Sequence, residues 1–147
     1  MSDTQHTFLL EPGRWVASGL HIDALGTPRP LSGATDVRHE ADGWRISGFL
    51  PLDERAGSVG GNCCRVVPLA GDGAETCWRA ETILGRLSGI LLLVKDSILS
   101  TGQSEDGTWV VSEWLQRIDA DRYVNRGVLL RRGERQFSWA VELERSA

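Results

Sequence analysis

Short runs of β-forming residues, interrupted regularly by turn residues, constrain the fold of this chain more than any other feature. Runs rich in Val, Ile, Leu, Trp and Thr alternate with Gly and Asp at a spacing typical of antiparallel β proteins, roughly eight to twelve residues. Apolar residues at helical spacing are nearly absent. Asp-Gly pairs supply the positive φ that tight hairpins require. The sequence therefore predicts turns at 41–43, 71–73, 95–97, 105–107, 119–121 and 132–134.

These turns divide the chain into about ten strands, by the same alternation of patterns. The predicted strands are 13–23, 34–40, 43–51, 62–69, 75–84, 88–94, 98–104, 108–118, 122–131 and 135–144. Two stretches, 24–33 and 53–61, contain Gly and, in the first, two prolines, as surface loops usually do. Either stretch is a candidate lid or rim loop.

Closure of the sheet follows from the order of the predicted strands. Sequential hairpins without a helical crossover indicate an up-and-down meander, and a meander this long avoids exposed edges best by closing on itself. The predicted fold is therefore an all-β, antiparallel, up-and-down closed barrel of roughly 8–10 strands. A β-sandwich remains the alternative, because turn spacing does not fix closure. A length of 147 residues fits a single domain, 1–147.

Composition narrows the classes of partner and the compartment. The formal net charge of -4 is spread along the chain, which does not favour a nucleic-acid partner. No secretory signal is visible at the start, and the apolar run 90–94 is far shorter than the roughly 20 residues of a membrane-spanning helix. We therefore expect a cytoplasmic protein without membrane contact. In that compartment Cys63, Cys64 and Cys77 are interpreted as reduced, small, buried hydrophobes.

The register of the last three strands assigns their inward face, because residues opposite each other across a hairpin share a face. With a turn at 119–122, Ile118 pairs with Tyr123 and Leu115 lies opposite Arg126. With the next hairpin closing at 132–133, Arg126 lies opposite Trp139. The predicted inward face holds Trp109, Val111, Glu113, Leu115, Val124, Arg126, Val128, Leu130, Phe137, Trp139, Val141 and Leu143.

Two charged residues, Glu113 and Arg126, stand on this otherwise apolar face. Buried charges are costly unless they are paired. One interpretation is an ion pair that fixes strand register. The other is a polar clamp in a ligand cavity, in which Arg126 beside Trp139 binds a carboxylate, enolate or phenolate oxygen that Glu113 orients.

Both interpretations depend on the alignment of the last hairpin. In the register above, Trp114 covers Gly127 on the outer face, a large residue over a small one. A slip of one residue would send Arg126 to solvent and bring Tyr123, Asn125 and Trp114 inside.

Six tryptophans in a chain of this size are either core filling or the lining of a cavity. On strand 75–84, Arg79 and Glu81 alternate with Trp78. We expect the charged residues to face outward and Trp78 to face inward, whereas the reverse would give a polar cavity. The candidate ligand-binding residues are Glu113, Arg126, Trp139, Trp78, Trp109 and Phe137.

The start of the first predicted strand, Gly13-Arg14-Trp15, matches the G-x-W motif of lipocalins and related barrels. In this respect the chain resembles the calycin superfamily. The resemblance implies that Trp15 packs across a closed end of the barrel and that Arg145, near the end of the last strand, stacks on it.

About ten strands is closer to the fatty-acid-binding and nitrobindin-like branches of that superfamily. The fatty-acid-binding branch implies a carboxylate site on late strands, where Arg126 lies without the full motif. Nitrobindin-like barrels hold haem through a late histidine, whereas the histidines here are His6, His21 and His39. Haem is therefore not expected.

Catalytic and metal-binding signatures were not found in the sequence. Cys63, Cys64 and Cys77 lack C-x-x-C spacing, no G-x-S-x-G elbow is present, and the glycine-rich stretch 57–61 lacks the Lys of a phosphate loop. We expect neither a metal nor another cofactor.

The favoured function is binding of a small hydrophobic or amphipathic molecule, largely apolar with an anionic or polar group, inside the barrel. The alternative is an enzyme such as an isomerase, cyclase or lyase, with Glu113 or Arg126 as acid–base or oxyanion groups. A third possibility is a protein-interaction barrel acting through its surface, with a homodimer as the simplest case.

Overall fold

The computed structural model describes residues 6–48, 62–70 and 72–146. Within these ranges the chain forms ten strands, and every hairpin joins strands that are consecutive in sequence. The strands are β1 Gly13–Ile22, β2 Pro28–Glu40, β3 Gly43–Gly48, β4 Asn62–Val66, β5 Glu75–Thr82, β6 Gly85–Val94, β7 Ser97–Ser104, β8 Trp109–Asp119, β9 Arg122–Arg131 and β10 Glu134–Arg145.

The sheet closes because β1 pairs with β10 on one side and with β2 on the other. All neighbouring strands are antiparallel, so the predicted up-and-down closed barrel is confirmed and the sandwich alternative is excluded. Closure gives each strand a partner on both sides and removes the exposed edges of an open sheet. None of the described residues forms a helix of the length and apolarity needed to cross a membrane.

The predicted loop 24–33 is too long. Only 23–27 connect β1 to β2, and β2 begins at Pro28, which pairs with Ile22. β3 pairs with Thr35–Glu40 of β2. Pro28 and Pro30 lie before this part of the strand and, among the described residues, pair with β1. Pro28 is the first residue of β2, a position at which proline is tolerated in a sheet. The predicted loop 53–61 lies outside the described residues.

Two β-bulges change the register that the hairpins predict. Arg117 pairs with Tyr123 and Asp119 with Arg122, which leaves Ile118 without a partner in β9. Gln136 is left over in the same way on β10. Each bulge inserts one extra residue and shifts the pairing by one position, which reverses the two faces of the intervening strand.

The predicted inward face is therefore right for β8 and β10 and wrong for β9. On β9 the inward residues are Tyr123, Asn125, Gly127 and Leu129, whereas Val124, Arg126, Val128 and Leu130 face outward; Arg131 at the end of the strand is exposed. Trp114 stays on the outer face, opposite Arg126. The one-residue slip therefore predicts the positions of Tyr123 and Asn125 correctly, but not that of Trp114.

One end of the barrel is closed by residues 6–11, here called the N-terminal plug. Phe8 packs edge-on against Trp15 at 5.4 Å between ring centroids, and Trp15 lies 5.5 Å from Tyr123 in the same manner. Trp15 is 1% exposed. The guanidinium of Arg145 lies 5.1 Å from the centroid of the Trp15 ring, in the stacked arrangement that the calycin resemblance implies.

His6 anchors the plug to the barrel. Its Nε2 donates to the Lys95 carbonyl at 2.8 Å, and its Nδ1 lies 2.8 Å from the Tyr123 hydroxyl. Burial lowers the pKa of His6, so the ring is neutral and Nδ1 accepts from that hydroxyl. The Tyr123 oxygen in turn accepts the backbone N–H of Thr7 at 3.1 Å. The plug is thus tied to two hairpins by neutral hydrogen bonds.

Candidate functional site

A cavity of about 140 Å³ lies inside the barrel. Its wall is largely apolar and is built by inward side chains of nearly every strand, because alternate residues of each strand point to the barrel axis. Small residues at some inward positions, such as Ala17 on β1 and Ala80 on β5, leave room at the centre. Phe8 of the N-terminal plug contributes to the wall at the closed end.

The polar groups of this wall are the hydroxyls of Thr35, Ser47, Thr82 and Ser100 and a hydrogen-bonded set of three side chains, Glu113, Asn125 and Trp139, here called the Glu113 network. Asn125 Nδ2 donates to Glu113 Oε2 at 3.2 Å and to the backbone carbonyl of Trp114 at 3.2 Å. Asn125 Oδ1 accepts the indole N–H of Trp139 at 2.7 Å. These partners fix the orientation of the amide, because its donors and its acceptor are engaged at once.

Glycine makes room for the Trp139 ring of this network. The strand register places Gly127 between Glu113 and Trp139, and a Cβ at Gly127 would lie 1.9 Å from Cζ2 of Trp139. The indole thus covers a bare stretch of backbone, in a large-over-small arrangement that also fixes register. The prediction that Trp114 covers Gly127 is wrong, because β9 presents its other face.

Trp78 occupies the space above Gly102 in the same way. A Cβ at Gly102 would lie 2.3 Å from Cζ2 of the Trp78 ring, whose indole N–H donates to the Ile90 carbonyl at 3.2 Å. Trp78 and Ala80 face inward while Arg79 and Glu81 are exposed, which confirms the predicted orientation of this strand.

Burial raises the pKa of Glu113, and the single hydrogen bond from Asn125 opposes that shift only in part. The Glu113 side chain is partly accessible, but to the cavity that it lines. Burial, with a smaller contribution from the Glu113 charge, also raises the pKa of the Cys64 thiol to about 12. Burial therefore disfavours the charged form of this carboxyl group, and the neighbouring thiol stays protonated at neutral pH.

The interior position predicted for Arg126 is wrong. Its side chain is exposed on the outer face of β9, where Nη1 donates to the backbone carbonyl of Asn125 at 3.1 Å. Glu113 has Asn125 as its hydrogen-bond partner. Neither the structural ion pair nor the anion clamp with Arg126 is present, because the bulge at Ile118 turns β9 over.

The aromatic candidates divide between the cavity and the packed core. Trp78 and Trp139 line the cavity. Phe137 is buried beside Trp139, at 6.0 Å between ring centroids, and its ring lies 4.6 Å from His21. Trp109 is half-buried, with the Arg131 guanidinium 5.5 Å from its ring. The structure thus brings Glu113, Trp139 and Trp78 together on the cavity wall, and leaves Trp109 and Phe137 in the packing next to it.

Asn125 and Cys64 are site residues that the favoured interpretation of the sequence missed. Asn125 lies inside only in the register that is shifted by one residue. In the sequence it is marked by being a polar residue between Val124 and Arg126, which both face outward in the structure. Cys64 lines the cavity as a half-buried side chain, while Cys77 is exposed, contrary to the prediction of three buried thiols. In the described ranges no group of three or more His, Cys, Asp or Glu side chains could hold a metal ion.

A comparison with protein-family models gives no match for this chain, and a comparison with curated proteins gives none either. Among solved structures the chain is similar to a redesigned β-barrel, at 12% sequence identity and a TM-score of 0.45, with all of both chains covered.

Proposed function

We propose that the protein binds a small, largely apolar molecule inside its barrel and orients it by one polar group at Glu113. The observation that carries this proposal is the cavity of about 140 Å³, whose apolar wall is interrupted by the Glu113 network. Small-molecule sites commonly combine such a wall with a few fixed polar groups that set orientation.

The size of the cavity bounds the ligand. A protein cavity of about 150 Å³ with an aliphatic and aromatic lining takes up benzene. A space of about 140 Å³ therefore suits a molecule with one ring or a short branched chain. The wall supports the same conclusion, because inward aliphatic side chains such as Leu91, Leu115 and Val141 offer only dispersion contacts.

The calycin resemblance supports a binding function at the level of architecture. Its residues are the Gly13-Arg14-Trp15 motif at the start of β1 and Arg145, which packs on Trp15. We infer a relationship to that superfamily from this barrel end. Barrels of the superfamily include both binding proteins and enzymes, so the resemblance does not distinguish the two functions. The proposed function therefore rests on the cavity.

An enzyme acting on the same ligand is the second candidate, and Glu113 is the observation that favours it. A carboxyl group whose pKa is raised by burial, and which lines a cavity, has the properties of a general acid or base. Arg126 has no part in this candidate, because it lies on the outer face. Chemical change of a bound probe, followed by NMR and lost in the Glu113→Gln variant, would favour an isomerase, cyclase or lyase over simple binding.

Filling the cavity is expected to abolish binding. Ala80 lines the cavity, whereas Ala140 lies on the outer face, so Ala80→Leu and Ala140→Leu make a matched pair. We expect acetophenone, measured by isothermal titration calorimetry, to bind the wild-type protein and Ala140→Leu alike. In Ala80→Leu the affinity should fall by about tenfold or more, since overpacking costs about 1–3 kcal/mol.

A second filling variant, Ala17→Val, adds less volume and guards against loss of the fold in Ala80→Leu. Circular dichroism reports whether each variant keeps its β-structure. The proposal is contradicted if folded wild-type protein shows no saturable binding of acetophenone or of its apolar analogue α-methylstyrene. It is also contradicted if the inner and outer substitutions weaken binding equally.

A further inference from the structure

We infer that the polar group of the ligand is a neutral hydrogen-bond acceptor, such as a ketone, aldehyde or ester carbonyl, which accepts the O–H of Glu113. This inference rests on the proposed function and names the class of ligand for the same cavity. Of the anionic or polar group that the sequence predicted with Arg126 placed inside, it keeps the polar alternative and drops the anionic one.

The hydrogen-bonding capacity of the Glu113 network points to one open donor. Both N–H groups of Asn125 and its carbonyl oxygen are engaged, by Glu113, the Trp114 backbone and Trp139. Glu113 Oε2 accepts from Asn125, and no hydrogen bond to Oε1 is found among the described residues, so Oε1 is the oxygen through which this lining residue can bind a ligand. Since the N–H groups of Asn125 and Trp139 are all engaged, Glu113 is the member of the network with a donor left for a ligand group.

The charge environment excludes an anionic ligand group. No Lys, Arg or His is among the described residues that line the cavity. A ligand carboxylate would be desolvated there without a cation to balance it, next to the Glu113 carboxyl. Burial of such an uncompensated charge costs far more than the dispersion contacts of a small ligand return.

A cationic ligand is also disfavoured by what surrounds Glu113. An ammonium group would require the ionised carboxylate, and a buried carboxylate is well held when two or three donors support it. Here Asn125 donates a single hydrogen bond. An ion pair formed in this apolar wall would lose much of its attraction to desolvation. A neutral carbonyl avoids that cost, because neither partner carries a charge.

The groups that face Glu113 from the neighbouring strands leave its titration simple. Ser100 lies opposite it on β7, Asn125 and Gly127 come from β9, and Trp139 comes from β10. The Cys64 thiol of β4 also lines the cavity, and it stays protonated because burial raises its pKa to about 12. The pH response of ligand binding therefore reports the protonation of Glu113.

Four probes built on one phenyl ring test the inference. Acetophenone carries the neutral acceptor, α-methylstyrene replaces the carbonyl by an apolar group, benzoate is the anion and benzylamine is the cation. Each is titrated into wild-type protein, Glu113→Gln, which keeps a neutral donor, and Glu113→Leu, which removes it. Calorimetry is carried out from mildly acidic to alkaline pH.

The inference predicts that Glu113→Leu lowers the affinity for acetophenone by about tenfold relative to the affinity for α-methylstyrene. This is the net effect of one hydrogen bond. Glu113→Gln should keep acetophenone binding. In the wild type alone, acetophenone affinity should fall as the pH rises through the raised pKa of Glu113, because the donor proton is lost.

Two results would overturn the inference while the proposed function stands. One is that both neutral probes bind and Glu113→Leu leaves their affinity ratio unchanged. The other is that benzylamine binds most tightly and its affinity rises with pH as Glu113 ionises. If none of the four probes binds the folded wild-type protein, the proposed function itself fails.

Discussion

Substitution of Trp15 by alanine should lower the free energy of unfolding by about 3–5 kcal/mol, the cost typical of removing a large buried aromatic side chain. The ring is 1% exposed and lies between the N-terminal plug and the barrel. It contacts Phe8 and Tyr123 edge-on, and Arg145 packs on its face. Its loss would open a cavity that no neighbouring group can fill without moving the plug.

Chemical denaturation followed by circular dichroism gives this quantity, and Trp114→Ala is the matched control. Trp114 is half-buried on the outer face, with its indole N–H donating to Ser97 Oγ at 3.0 Å. Its removal should cost about 1 kcal/mol, close to the net value of a hydrogen bond. Equal losses in the two variants would show that Trp15 does not close the barrel end as described.

Gly127→Ala is expected to lower the free energy of unfolding by about 1–3 kcal/mol, as overpacking of a filled interior does. The added Cβ would lie 1.9 Å from Cζ2 of Trp139, so the indole must move. Moving the indole breaks its hydrogen bond to Asn125 and frees the amide that holds Glu113. The variant should therefore weaken acetophenone binding as well as stability.

Gly13→Ala is the control for this substitution, since a Cβ at Gly13 meets no atom within 4 Å. A double-mutant cycle with Trp139→Leu isolates the clash, because a smaller side chain at position 139 makes room for the added methyl group without displacing a ring. We expect the cost of Gly127→Ala to shrink markedly in the Trp139→Leu background. An unchanged cost in that background would mean that the glycine is needed for another reason.

The barrel itself could be predicted from the sequence because its signals are local. Turn residues at 95–97, 119–121 and 132–134 fix where strands end, and alternation along 136–144 shows which side of the last strand faces inward. The pairing of Trp15 with Arg145 follows from the calycin resemblance and needs no register argument. Such local signals can be read from the sequence without knowledge of the three-dimensional contacts.

The orientation of β9 could not be predicted because its apolar pattern favours the wrong face. Val124, Val128 and Leu130 face outward, although they are more apolar than Asn125 and Gly127, which alternate with them and face inward. The orientation is set by single-residue bulges at Ile118 and Gln136, which leave no signature in a hairpin that otherwise closes normally. Arg126 was misplaced, and Asn125 overlooked, for this one reason.

The N-terminal plug could not be predicted for a different reason. His6 and Tyr123 are 117 residues apart in sequence, and the contact between Thr7 and Tyr123 spans 116. Neither of these two contacts is indicated by a periodic pattern or a turn motif in the sequence. Contacts over such distances are specified by the closed barrel, whose end offers the hydroxyl and carbonyl groups that the plug satisfies.

Methyl NMR during a titration with acetophenone tests the central claim, that the barrel interior is the ligand site, most directly. Val111 lines the cavity, and Val110 beside it on β8 faces outward, so the two residues report opposite faces of one strand. Val141 of β10 and Val128 of β9 give a second inward and outward pair. The account predicts saturable shifts at Val111 and Val141 with little change at Val110 and Val128. Shifts confined to Val110 and Val128 would place the ligand on the outer surface and contradict it.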